Sequence, residues 1–207
     1  KKFSRAAEPL RELMDNTNDV LIKGPGTELS FSIKDLKSVK CDGKKNIPDG
    51  ELYTAPVKES VNGKVKFNCP SFYRSQLFDG IELIFKNGKV VDCHCVNNKI
   101  EFEKILNIDE GARFIGEFAL GLNPKINYPM KDTLFDEKIF GSFHIALGNS
   151  YNDETYNGNN SAIHCDLVNI QTKEYGGGEI YFDGRLIRKD GIFLHDSLIP
   201  LSDKGNW

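Results

Sequence analysis

Residues 176–194 read GGGEIYFDGRLIRKDGIFL. Two Asp-Gly pairs, at 183–184 and 190–191, separate three short runs rich in Ile, Leu, Phe and Tyr. Asp-Gly tolerates positive φ at both central positions of a tight turn, so the stretch predicts a three-stranded antiparallel meander. The same logic extends upstream. IELIFKNGKVVDCHC (81–95) predicts a hairpin around Asn87-Gly88, and VKESVNGKVKFN (57–68) a second around Asn62-Gly63. VLIKGPGTELSFSI (20–33) reads as two strands flanking Gly-Pro-Gly. SVKC (38–41), ELYTAP (51–56), FHIALG (143–148) and SAIHCDLVNI (161–170) read as further strands, with CDGKKNIPDG (41–50) as a loop. Helical spacing is confined to residues 4–16, where Ala7, Leu10, Leu13 and Met14 recur, and to EFEKILN (101–107). DEGARFIGEFALGL (109–122) reads as helix, or helix running into a loop. Strands outnumber helices. The expected class is α+β, with a mixed, mainly antiparallel β-sheet and flanking helices.

The chain has 207 residues and a formal charge of −3, with acids and bases interspersed, which gives no footprint for a nucleic-acid partner. No apolar run is long enough to span a membrane, and no signal peptide opens the sequence. The five cysteines are odd in number and lack framework spacing, so reduced thiols and a cytoplasmic location are expected. The chain opens without Met, directly in a helical pattern, and is expected to be a fragment or a processed product.

SAIHCDLVNI sets His164 and Asp166 on one face of an otherwise apolar strand. A buried carboxylate needs a positive or hydrogen-bonding partner there. Other polar residues stand in apolar surroundings: Glu51 in GELYTAP, Glu117 in FIGEFALG, His144 in GSFHIALG and Tyr151 seven residues later. Together they offer carboxylates, imidazoles and a phenol, a ligand set suited to Zn, Co or Mn. Three carboxylates and two histidines exceed the needs of one tetrahedral ion, and two ions sharing a bridging carboxylate would use them all. Each residue also has a plainer role open to it: a hydrogen-bonded core histidine, a helix-surface Glu117, a packed Tyr151. His94, between Cys93 and Cys95, lacks a second Cys/His pair at finger spacing, and His195 reads as a surface residue.

The segments NIPDGELYTAP, DEGARFIGEFALG, LFDEKIFGSFHIALGNSY, NGNNSAIHCDLV and GGGEIYFDGRLIRKDGIF together resemble the C-terminal catalytic half of the M29 metallo-aminopeptidases, the aminopeptidase T and aminopeptidase S type. The resemblance implies a single catalytic domain over residues 1–207, with residues 1–20 as the helix entering it and the family's N-terminal domain absent. It implies two divalent metal ions (Zn, Co or Mn) held by Glu51, Glu117, His144, Tyr151, His164 and Asp166. It further implies hydrolysis of the N-terminal residue of a peptide with a free amine, through a metal-activated water. Glu117 is expected to bridge the ions or take the water's proton, and Tyr151 to ligate or steady the oxyanion. Glu137 and Arg113 are expected just outside the ligands, with Lys138 orienting acids. A homodimer is implied as well. Two alternatives stay open: a fragment that binds metal but is inactive or serves as a binding module, and a mononuclear hydrolase of another amide.

Overall fold

The structure, a computed structural model, describes residues 2–43 and 47–203; residues 44–46 of the expected loop lie outside the described residues. Helices α1 (Lys2–Ala6) and α2 (Glu8–Asp15) precede β1 (Asp19–Gly24), β2 (Thr27–Ser32), β3 (Val39–Cys41), β4 (Glu51–Thr54) and β5 (Asn62–Lys66). Next come β6 (Ser71–Tyr73), β7 (Gln76–Phe78), β8 (Glu82–Lys86), β9 (Lys89–His94) and α3 (Lys99–Leu106). The chain continues with β10 (Ile115–Gly121), α4 (Thr133–Asp136), β11 (Ser142–Gly148) and β12 (His164–Ile170), then the meander β13 (Glu179–Phe182), β14 (Arg185–Lys189) and β15 (Ile192–Phe193).

Among the described residues, an eight-stranded sheet runs β15-β14-β13-β1-β2-β5-β8-β9 and a five-stranded sheet runs β12-β11-β10-β4-β3. Neighbouring strands in both are antiparallel. The two sheets share one core. Ile22, Leu29, Val65 and Leu83 of the larger sheet pack in the same cluster as Phe118, Leu120, Phe143, Ile145, Leu147 and Leu167 of the smaller. Phe31 meets Phe118 edge to face across it, with ring centroids 4.9 Å apart. Phe3, Leu10 and Met14 of the leading helices belong to the same cluster. The α+β expectation, with mainly antiparallel pairing, therefore holds.

The turn chemistry behaves as the sequence predicts at three sites. Asn87-Gly88, Asp183-Gly184 and Asp190-Gly191 all have positive φ at both positions. The Asn62-Gly63 pair does something else. Asn62 and Gly63 lie inside β5, not in a turn, and the expected 57–68 hairpin does not form. Gly63 sits at φ +111°, and a Cβ there would meet the Glu28 carbonyl oxygen at 2.1 Å. The glycine permits close strand approach.

The second correction falls on residues 109–122. A short 3-10 turn at Gly111–Arg113 leads directly into β10, and no helix forms. Strand β10 lies between β4 and β11, and all seven of its residues are buried. A strand covered on both faces shows a continuous apolar run, which periodicity alone does not separate from a buried helix.

A bulge in β10 places Glu117. Ile115 pairs with Leu147, and Glu117 with the very next residue, Ala146. Gly116 is the extra residue. It lets Ile115 enter the shared core while Glu117 faces the opposite side of the sheet. A Cβ at Gly116 would lie 2.4 Å from the carbonyl oxygens of both Gly148 and Asn149. Gly116→Ala is therefore expected to destabilise the fold by about 2 kcal/mol or more, as overpacking does. Thermal melting checks this, and divalent-ion affinity should fall in parallel because the bulge aims Glu117.

Candidate metal centre

The five-stranded sheet has one face for the core and one for chemistry. Across its register, Glu117 lies opposite Ala146, and Ala146 opposite Asp166. His144 lies opposite Ala119, Glu51 opposite Gly121, and His164 opposite Gly148. Directly opposed residues share a face. Glu51, Glu117, His144, His164 and Asp166 consequently project from the same side, from four adjacent strands. The alternating positions Phe118, Leu120, Phe143, Ile145, Leu147 and Cys165 enter the core. The small residues Ala119, Gly121, Ala146 and Gly148 leave room between the polar side chains.

Glu117 is the centre of the group. Its Oε1 lies 3.4 Å from His144 Nε2 and its Oε2 3.1 Å from His164 Nε2. Glu51 Oε2 approaches His144 Nε2 at 3.8 Å, and Asp166 Oδ1 approaches His164 Nε2 at 3.4 Å. The other ring nitrogens are anchored: His144 Nδ1 to the Glu137 carbonyl at 3.2 Å, and His164 Nδ1 to the Asn149 carbonyl at 2.8 Å. A carbonyl only accepts, so each Nδ1 carries its proton, and each neutral Nε2 turns a lone pair toward carboxylate oxygens. Lone pair facing lone pair at this distance is repulsive unless a cation or a proton lies between.

The polar accounting agrees. Eight buried side-chain N and O atoms lack a hydrogen-bond partner among the described residues, and four of them converge here: Glu51 Oε2, His144 Nε2, His164 Nε2 and Asp166 Oδ1. Two donor triads account for these atoms, Glu51–Glu117–His144 and Glu117–His164–Asp166, with Glu117 common to both. Donors bound to one tetrahedral ion at ~2.0 Å stand roughly 3.3 Å apart. Three of the four separations, 3.1 to 3.4 Å, match that edge and the Glu51–His144 one, 3.8 Å, is wider, so the donor set fits divalent-ion binding. A third triad, Glu137–His144–Asp166, shares His144 with the first and Asp166 with the second.

Without an ion, protons fill the gaps. Burial opposes the imidazolium of His144, but hydrogen bonding and charge from Glu117, then charge from Glu51, outweigh it and raise the group to about 9. Burial likewise opposes His164, yet hydrogen bonds from Asp166 and Glu117 raise it to about 11. Burial disfavours the Glu117 anion, but the two flanking imidazoles hold it down at about 2. Glu51 is raised by burial, and Glu137 is raised to about 7 by burial and then by Glu51. Lys138, fully buried, contacts Glu51 Oε1 at 3.1 Å and forms a close ion pair with Glu137. Those two carboxylates outweigh its burial and keep it charged.

Five of the residues singled out in the sequence thus converge directly. Tyr151 joins at the rim, where its ring packs on His164 with centroids 5.0 Å apart. Glu137 comes closer than expected, within the third triad. Arg113 does not reach the group: its guanidinium donates to the Val90 carbonyl and to Asn107. Cys165 enters the core, as strand alternation requires. His94 is exposed while Cys93 and Cys95 are buried, so alternation separates the three. Tyr53, which the sequence reading passed over, packs against Tyr151 with centroids 5.2 Å apart. All five cysteines are buried free thiols.

A buried sheet face carrying these donors has the make-up of a divalent-metal site. The chain belongs to the M29 thermophilic metalloprotease family, whose profile matches residues 1–192. It is 33% identical over 182 residues to aminopeptidase 2 of Geobacillus stearothermophilus, a match covering 78% of this chain and 40% of that protein. It is 31% identical over 211 residues to aminopeptidase T of Thermus aquaticus, covering 89% of this chain and 48% of that one. The chain therefore spans less than half the length of these relatives. Among solved structures, wild-type AmpT from Thermus thermophilus superposes with a TM-score of 0.76 at 25% identity, over 94% of this chain and 55% of the other. A 2,5-dihydroxypyridine dioxygenase from Pseudomonas putida KT2440 gives a TM-score of 0.77 at 15% identity, over 96% and 61%, a likeness of fold alone.

Because both imidazoles are raised well above neutrality in the metal-free protein, an ion must displace their protons at pH 7. Affinity for Co²⁺ or Zn²⁺ is expected to rise with pH, and binding to release about two protons per chain, one from each imidazole. Calorimetric titration in buffers of different ionisation enthalpy measures the number released.

Proposed function

We propose that this chain is the catalytic domain of a metal-dependent aminopeptidase, with a dinuclear site that removes the N-terminal residue of peptides. The observation that carries the reading is Glu117, whose two oxygens each face a different histidine nitrogen at 3.4 and 3.1 Å. One carboxylate shared by two donor triads is the arrangement a two-ion hydrolase needs. The names of the relatives, aminopeptidase 2 and aminopeptidase T, supply the reaction class.

Divalent ions (Zn, Co or Mn) in these triads supply Lewis acidity toward the scissile carbonyl and lower the pKa of the attacking water. The protein's own groups do the rest. Glu51 and His144 form one side of the centre, His164 and Asp166 the other. Glu117 is held ionised, and its two oxygens would join the two halves of the centre. Tyr151 stands beside His164, where its phenol, kept protonated by burial and then by the nearby carboxylates, donates to the developing oxyanion. Lys138 ties down one oxygen of Glu51 and leaves Oε2 for the centre. Glu137 accepts from Lys138 and offers its carbonyl to His144, which fixes the ring.

No helix among the described residues is long and apolar enough to cross a membrane. The five buried free thiols support a reducing, cytoplasmic setting, and a homodimer is part of the same reading. One second reading has a specific basis. The chain covers 40% and 48% of the two relatives, which favours a domain that binds its ions but hydrolyses weakly as 207 residues alone.

Leu-p-nitroanilide hydrolysis with added Co²⁺ tests the function. Glu117→Gln should lower kcat/KM by at least about a hundredfold while the metal-free melting temperature stays within a few degrees. A variant with full activity removes Glu117 from the mechanism. Ion binding without hydrolysis in the wild type selects the second reading.

A further inference from the structure

Tyr53 belongs to neither donor triad, yet it stands on the same sheet face one side chain away from His164. It lies on β4 opposite Ala119 on one side and Val39 on the other, and it is buried. The small Ala119 leaves space for the ring. The Tyr53 hydroxyl donates to Asp153 Oδ2 at 2.9 Å. Asp153 is itself fixed, because its Oδ1 accepts from the Thr155 backbone N–H at 2.9 Å and from Thr155 Oγ1 at 2.7 Å. Residues 151 and 153 share the loop between β11 and β12. Tyr53 therefore grips that loop through its hydroxyl and presses on Tyr151 through its ring, with planes tilted by 58°. Tyr151 in turn packs on the His164 ring at a 42° tilt. A continuous path of contact runs from Asp153 through Tyr53 and Tyr151 to His164.

His164 needs such support more than His144 does. Its side chain is 26% exposed, against 0% for His144. The backbone holds its ring at one point, Nδ1 on the Asn149 carbonyl, and Nε2 faces only the side-chain oxygens of Glu117 and Asp166. A packed aromatic against one face limits rotation of the ring and keeps Nε2 directed at the position between Glu117 and Asp166.

We propose that Tyr53 is a positioning residue, whose ring and hydroxyl together hold Tyr151 against His164 and so set the direction of His164 Nε2. This inference rests on the metal reading above and adds to it a residue that contributes no donor atom. Supporting groups of this kind typically change metal affinity by about 10- to 100-fold.

Co²⁺ titration by calorimetry tests the proposal without requiring turnover, with metal-free melting as the check on folding. Tyr53→Leu is expected to weaken binding by about 10- to 100-fold. Tyr53→Phe and Asp153→Asn, which keep the ring in place, should weaken it only by a small factor. In a Tyr151→Ala background, Tyr53→Leu should cost nothing further, because its effect passes through the Tyr151 ring. Unchanged affinity in Tyr53→Leu, or an equal loss with and without the Tyr151 ring, overturns the proposal. If Tyr53→Leu does not fold, the hydrogen bond carries the test: Tyr53→Phe combined with Asp153→Asn should match either change alone, and additive losses overturn it. A wild type that binds no divalent ion overturns the metal reading and this inference with it. Binding by the wild type with additive losses overturns the role of Tyr53 alone.

Discussion

The carboxylate of Glu117 stands between two imidazole nitrogens, 2% exposed to solvent. That contact constrains much of the surrounding structure. A carboxylate this deeply buried is tolerable only with positive charge beside it. Both imidazoles already give their Nδ1 protons to backbone carbonyls, so the compensating charge must enter at the Nε2 side, as protons or as metal ions. The bulge at Gly116, the alanines and glycines of the site face and the lysine behind Glu51 all serve this one arrangement. The opposite face of the same sheet is an ordinary apolar core, and it keeps the strands in the register that the site requires.

Two elements of the site were legible in the sequence because a strand alternates. In SAIHCDLVNI two polar residues stand two apart in an apolar strand and in FHIALG a lone histidine interrupts one, and the faces follow at once. Strand β10 hides the same alternation. Its site face is Glu117, Ala119 and Gly121, small residues that read as neither polar nor core. With Gly116 bulged out, the period of two also breaks at its start. Helix-favouring Ala, Arg, Glu and Leu in DEGARFIGEFALGL point to helix, and burial by neighbouring strands on either side overrides them. Asn62-Gly63 misleads for a related reason. An Asn-Gly pair marks a place where positive φ is allowed, and here the use is close strand approach. The contribution of Tyr53 depends on which loop folds over which strand, and no local pattern encodes that.

The architecture alone says little about the reaction. A dioxygenase superposes on this chain about as well as an aminopeptidase does, at 15% against 25% identity. What separates such proteins is the side chains that one sheet face presents. In this chain that face offers two imidazole nitrogens and the carboxylates of Glu51, Glu117 and Asp166 in two overlapping sets, and membership of a metalloprotease family gives those sets their chemistry.

The most direct measurement is an anomalous-scattering map from crystals of the chain loaded with Co²⁺ or Zn²⁺. The account predicts two peaks per chain on either side of the Glu117 carboxylate, one against Glu51 and His144 and the other against His164 and Asp166. A single peak, or ions that leave Glu117 uncoordinated, would contradict it.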